Sequence, residues 1–442
     1  MKGSISFHEL SALAPDQRAA LMVRTEGDLG RFVEQVRPII DRVRREGDQA
    51  LAELARELDG ALVAPAAIKC RPEEFDSARR NLDAQLIASL TYAAENVRIF
   101  HQWQMPEQLR LTEVRPGVLA GEKITPIPSV ACYVPRGKGA FPSCLLMTAI
   151  PARVAGVPRV MVVTPPGPDG SIDAATLVAA RLAGVDEIYK CGGAQAVAAV
   201  AYGTQTVPRA AKIVGPGSPW VVAAKRLLAD VIDPGPPAGP SEAIVLADET
   251  ASSRVAALDL INESEHGPDS SAFLVTSSRR LAEEVRRVLP EYWKMMGPVR
   301  SGYSAAVLGG PRGGIVLAPD MEAAVDFAND YAPEHLLVLS RDPFHYLGRL
   351  VNAGEILLGE DTAIALGNYV LGPSHVLPTA GAARTWSPLS VFDFLKRTSV
   401  GYVTAQAHDG LARHAHVLAG YEGFEGHALA VSEARQTARR TA

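Results

Sequence analysis

The stretch Val160-Met161-Val162-Val163-Thr164-Pro165-Pro166 decides the fold. Its short apolar run reads as a buried strand, and the two prolines end it. Working outward, Ala174–Ala183 reads as a helix, and Glu187-Ile188-Tyr189 returns as a strand. Strand, helix and strand in that order make a βαβ unit, which implies a parallel sheet with crossover helices. The pattern recurs downstream. Ile244-Val245-Leu246 is a strand, Arg254–Ser264 a helix, Ala272-Phe273-Leu274-Val275 a strand and Leu281–Val288 a helix. Between the two units lies Asp233-Pro234-Gly235-Pro236-Pro237-Ala238-Gly239-Pro240, the best candidate for a domain boundary.

Upstream the texture is helical. Val33, Val36, Ile40 and Val43 fall at helical spacing, as do Leu51, Leu54 and Leu58, with a Gly47-Asp48 turn between them. Leu86, Leu90, Ala94, Val97 and Phe100 mark a further long helix, and short apolar runs begin near Ile124. The fold class is α/β: two Rossmann-like parallel-sheet domains with N-terminal helices and a helical C-terminal tail. The expected partition is a helical extension over 1–28, one α/β domain from 29–130 with 241–387, a second over 131–240, and a tail over 388–442.

At 442 residues the chain is too long for one compact core. With 47% hydrophobic and 21% charged residues it has the composition of a soluble globular protein. A net charge of −5 and no basic run argue against nucleic acid or an anionic membrane as partner. No apolar stretch reaches membrane-spanning length, and Met1-Lys2-Gly3-Ser4-Ile5-Ser6 lacks the apolar core of a signal peptide. Cys70, Cys132, Cys144 and Cys191 are widely spread with no CxxC pair, which points to a reduced, cytoplasmic protein.

Three motifs carry chemistry. Asn329-Asp330-Tyr331-Ala332-Pro333-Glu334-His335-Leu336 sets a carboxylate beside an imidazole, the side chain that exchanges protons near neutral pH. Glu263-Ser264-Glu265-His266-Gly267-Pro268 places Glu263 and His266 three apart at a helix end, on one face, as a divalent ion requires. Further ligands must come from distant segments, and His375 or His427 offers one. Gly423-Phe424-Glu425-Gly426-His427 forms the third cluster. The phosphate cradles GxGxxG and GxxxxGK[ST] are absent. Cys191-Gly192-Gly193-Ala194-Gln195-Ala196 and Gly215-Pro216-Gly217 instead follow strands as glycine turns. Spacing alone leaves these as either nucleotide loops or tight turns with no ligand.

These motifs, with Tyr133-Val134-Pro135, Ala238-Gly239-Pro240-Ser241-Glu242 and His375-Val376-Leu377-Pro378-Thr379, resemble the histidinol dehydrogenase family over nearly the whole chain. The resemblance implies oxidation of L-histidinol to L-histidine through an aldehyde, using NAD and one zinc ion per subunit. It implies His335 as general base and Glu334 as the group that activates water. It implies Glu263, His266, Asn368 and His427 as zinc ligands. Ser241 and Glu422 would join these ligands and His335 in holding substrate, and Tyr133, Gln195 and Ser218 would line the NAD site. It further implies a cytoplasmic homodimer in histidine biosynthesis, whose exchanged tail carries Glu422 and His427 into the partner's site.

The chain departs from the family pattern. Glu263 stands where the family has glutamine, Asn368 where it has aspartate, Ser218 where it has asparagine and Arg136 where glycine is usual. The first two exchanges cancel in formal charge and keep oxygen donors, so a retained metal site is expected. Together the departures point to a divergent branch, and the alternative substrate is another small polar alcohol such as a sulfopropanediol. Glu422 argues for an imidazole-bearing substrate. A metallohydrolase, with Glu334 as base, is the reading from another class, and the glycine turns speak against it.

Overall fold

The structure, a computed structural model, describes residues 5–24, 29–137 and 139–440. Residues 1–4 and 25–28 of the expected extension, and 441–442 of the expected tail, lie outside these. The strands are β1 (Phe7–Glu9), β2 (Leu109–Arg115), β3 (Val118–Pro126), β4 (Ser129–Tyr133), β5 (Arg159–Thr164), β6 (Glu187–Lys190), β7 (Lys212–Val214) and β8 (Glu242–Ala247). They continue with β9 (Ser271–Thr276), β10 (Gly313–Leu317), β11 (His335–Leu339), β12 (Glu355–Leu358) and β13 (Leu395–Val403).

Packing divides the chain into two units, 1–105 with 127–394 and 106–126 with 395–442. The first holds two parallel sheets, a six-stranded one in the order β1-β10-β9-β8-β11-β12 and a four-stranded one in the order β6-β5-β4-β7. Strands β8 to β11 are buried along their whole length, as sheets covered on both faces require. The crossover helices begin with side-chain caps. Asp173 accepts the Thr176 N–H for Ala174–Ala183, and Ser252 accepts the Val255 N–H for Ser253–Ser264. Alanines at 194, 196, 198, 199 and 201 let the helix Gly193–Tyr202 lie close on the smaller sheet.

Two expectations about partition are corrected by the packing. The helices Gly30–Glu46 and Asp48–Leu58 do not join residues 241–387. Their stripe of Val36, Ile40, Val43, Leu51 and Leu54 shares one core with Ala131, Tyr133, Met161 and Val163 of the four-stranded sheet. The segment 1–28 is not wholly helical, because β1 pairs in parallel with β10 as an edge strand. Two boundaries also move. β2 and β3 leave 29–130 to form an antiparallel sheet in the order β13-β3-β2, and the tail opens with strand β13 before its helices. Residues 388–394, expected in the tail, stay in the first unit, where Leu389, Val391 and Phe394 are buried.

Candidate active site

One cavity of about 400 Å³ in the first unit gathers most of the residues singled out above. Glu263, His266, Glu334, His335, Asn368, Ser241, Ser218 and His375 all line it, with Pro135 and Arg136 after β4 and Pro216 and Gly217 after β7. Tyr133 and Gln195 do not line it. The Tyr133 hydroxyl accepts the Gly193 N–H at 3.2 Å, and Gln195 Nε2 donates to Asp59 at 3.4 Å. Glu422 and His427 belong to the second unit. Glu422 ends the helix Ala405–Tyr421, and the His427 ring tilts against Phe424 with centroids 5.2 Å apart.

The acid–base groups open their strands. His335 is the first residue of β11, and the parallel register places it between Ala243 of β8 and Glu355 of β12. Its Nδ1 lies 2.5 Å from Glu355 Oε1, and its Nε2 faces Glu334 Oε1 at 3.8 Å. Glu355 therefore fixes the ring orientation and leaves Nε2 to the cavity side. Glu334 Oε2 accepts the Glu242 N–H at 2.9 Å. Burial disfavours the imidazolium, yet Glu263, Glu334 and Glu355 outweigh it and raise His335 to about 10. Burial drives Glu334 well above the usual carboxylate range, against the pull of His335.

Glu263 sits at the C-terminal end of Ser253–Ser264 and is fully buried. Burial works against its charge, but His266, His335 and the amides of Asn368 and Asn262 hold it below the usual carboxylate range. Its Oε1 accepts Asn368 Nδ2 at 2.8 Å and Asn262 Nδ2 at 2.9 Å, while its Oε2 is buried without a hydrogen bond and lies 3.5 Å from His266 Nδ1. His266 Nδ1 lies 3.1 Å from the Asn262 carbonyl, the bond that leaves Nε2 as a lone-pair donor. An orphaned carboxylate oxygen, an imidazole held by its other nitrogen and the negative end of a helix all suit a divalent cation. Among the described residues no three His, Cys, Asp or Glu side chains come together in a group that could hold a metal ion.

The glycine turns are held close by the chain's own packing. A Cβ on Gly215 would lie 2.2 Å from the Tyr133 carbonyl oxygen, and one on Gly217 would lie 2.5 Å from Val221 Cγ1. Backbone therefore passes at close range where the strand order reverses between β4 and β7. Sequence reasoning missed Glu355, Glu242 and Arg24. Glu355 and Glu242 had a visible signal, each being a lone carboxylate at the head of an apolar run.

Residues 22–435 match the family model described as histidinol dehydrogenase. A protein of Colwellia psychrerythraea named "Histidinol dehydrogenase homolog" is 56% identical over 99% of this chain and 98% of its own length. The "Histidinol dehydrogenase" of Synechocystis is 47% identical over 96% of this chain and 98% of its own. The crystal structure of histidinol dehydrogenase from Elizabethkingia anophelis superposes with a TM-score of 0.91 at 29% identity, covering 99% of this chain and 100% of that one.

Proposed function

We propose, from the premise that the chain belongs to the histidinol dehydrogenase family and is an oxidoreductase, that it oxidises L-histidinol to L-histidine in two NAD-dependent steps. The single observation that carries this reading is the convergence of the Glu355–His335 pair, Glu334 and the orphaned Glu263 oxygen on one cavity. When bound, NAD accepts one hydride in each oxidation, and zinc supplies a Lewis-acid anchor for the substrate. Glu263, His266 and Asn368 would hold the ion, with His427 of a second copy as a further ligand. Glu422 of that copy, Ser241 and His335 would hold the alcohol, while Tyr133, Gln195 and Ser218 would line the NAD site.

In the first oxidation His335 Nε2 takes the hydroxyl proton as the carbinol carbon gives up its hydride, and the C–O bond becomes C=O. Offsetting the Glu263 charge would weaken one of the three carboxylate fields that keep the ring protonated, and so ease the release of its proton. Glu334 then takes a proton from water as the water oxygen bonds to the aldehyde carbon, and the proton held on His335 passes to the aldehyde oxygen. The resulting hydrate gives a second hydride to NAD and a hydroxyl proton to His335, leaving the acid. A homodimer with exchanged tails and a cytoplasmic location belong to the same proposal. The four buried free thiols support the location.

A specific observation keeps a second substrate in play. Relatives at 56% and 58% identity are named only as homologues, and Glu263 with Asn368 redistributes charge in the ligand set. The alternative is the same chemistry on another small polar alcohol such as a sulfopropanediol. Incubating the purified protein with NAD and L-histidinol tests the reading. Reduced-nicotinamide absorbance that disappears with chelator and returns with zinc is the expected result. No absorbance removes L-histidinol as substrate, and turnover without NAD removes the reaction class.

A further inference from the structure

We propose that Arg24 is a positioning residue for Glu334, acting through Glu242. The inference rests on the reading above, in which Glu334 activates water.

Arg24 follows the helix Pro15–Leu21 and reaches a buried site beneath the acid–base groups. Its Nε donates to Glu242 Oε1 at 2.9 Å, with both side chains less than a tenth exposed (9% and 5%). Nη1 donates to the Met22 carbonyl at 2.7 Å and Nη2 to the Tyr331 carbonyl at 2.6 Å. The guanidinium carbon lies 3.3 Å from the centroid of the Tyr331 ring, whose hydroxyl hydrogen-bonds Ser271. Both the edges and one face of the guanidinium are thus committed, which makes it a fixed charge rather than a wandering surface cation.

Glu242 is the first residue of β8 and works in two directions. Its Oε1 accepts the Ala380 N–H at 3.0 Å alongside Arg24, and its own N–H donates to Glu334 Oε2 at 2.9 Å. One oxygen of Glu334 is pinned by that N–H, so the other, Oε1, is presented toward His335 Nε2. Backbone strain flanks this path. Ala332 and Ala380 are the non-glycine residues with positive φ among the described residues, at 51° and 55°. Ala332 sits between Tyr331 and Glu334, and Ala380 gives its N–H to Glu242. Left-handed alanines persist only where surrounding structure over-determines them, and such strain gathers at functional sites.

The charge balance supplies the reason for an arginine here. Glu334 is faced by His335, Glu263 and Glu242, and Glu242 by Arg24 and His335. A buried Glu242 stripped of Arg24 would take up a proton or leave its position. Either response shifts the start of β8 and the N–H that holds Glu334. Misplacing a catalytic group by about 1 Å costs on the order of a hundredfold.

The test compares Arg24→Met with Glu242→Gln and the double variant, each assayed separately on L-histidinol and on L-histidinal with NAD. In Arg24→Met the aldehyde kcat should fall roughly tenfold or more, while the first hydride transfer from L-histidinol, read as the pre-steady-state burst of reduced nicotinamide, stays within about threefold, as expected when one step loses its oriented group. The Arg24→Met defect should shrink in the Glu242→Gln background, because the two act in series. Hydrogen exchange at the Glu242 amide should speed up, a readout that needs no substrate. Should Arg24→Met fail to fold, Arg24→Lys keeps the charge, loses the stacked fork and is held to the same expectations. Equal losses in both steps, additive effects or unchanged Glu242 exchange each overturn the proposal. Glu334→Gln separates the two failures, since unimpaired aldehyde oxidation in that variant removes the water-activating role itself.

Discussion

The two parallel sheets present opposite edges to the same cavity. The four-stranded sheet offers its carboxyl edge, where the loops Pro135-Arg136 after β4 and Pro216–Ser218 after β7 meet and the helix Pro219–Leu227 begins. The six-stranded sheet offers its amino edge, where Glu242, His335 and Glu355 each open a strand. Helices that return to that edge end there, and Glu263 sits at one such C-terminal end. The difference separates two tasks. Carboxyl edges supply backbone N–H groups and glycines, which suit a phosphate-bearing cofactor. The amino edge collects helix ends of negative sign and acidic side chains, which suit a cation and proton transfer.

Four perturbations put that division at risk. The largest effect is expected at the amino edge: His335→Asn should lower kcat by about 10²- to 10⁴-fold with metal content unchanged. Lost metal would instead make the ring a ligand. Glu263→Ala comes next and should leave the protein with little bound metal by elemental analysis, since it removes the orphaned oxygen. Normal occupancy excludes Glu263 as a ligand.

The smaller sheet should respond through binding and stability. Gly215 has a φ of 113°, and a Cβ there would meet the Tyr133 backbone, so Gly215→Ala should destabilise by roughly 1–3 kcal/mol and raise the KM for NAD. An unchanged KM would show that this edge does not carry the cofactor.

The smallest effect concerns Asp59, which burial pushes up from 3.8 to about 6. A raised carboxyl favours the protonated form in the fold. Its stabilising contribution is therefore full below pH 3.8, declines up to about pH 6 and is flat above. Asp59→Asn should raise the thermal midpoint at pH 7 more than at pH 4. The same gain at both would show that burial of the charge is not the cause.

The parts of this plan readable in sequence are those encoded within a few residues. β5, the helix Ala174–Ala183 and β6 were legible because continuous apolar runs and prolines mark them locally. Glu334, His335, Glu263 and His266 were legible as dipeptide or three-residue spacings. Glu355 was visible only as a carboxylate heading an apolar run, because its role arises from strand register with His335, twenty residues away. Arg24 was less visible still, since its partner Glu242 is separated from it by most of the first two hundred and forty residues. The amphipathic helices at 30–58 show that they need a partner without saying which sheet provides it. β2 is exposed along its length, and the alternation of Leu109-Arg110-Leu111-Thr112 breaks at Glu113, where the register with β3 also slips.

The three-stranded sheet of the second unit pairs Pro126 with Leu395 and Val118 with Val403, so more than half of the chain is spelled out between its partners. During synthesis the hairpin formed by β2 and β3 emerges before β13 and must wait, one edge bare, for that strand. Truncation or stalling before residue 395 would leave that hairpin exposed to pairing with a neighbour.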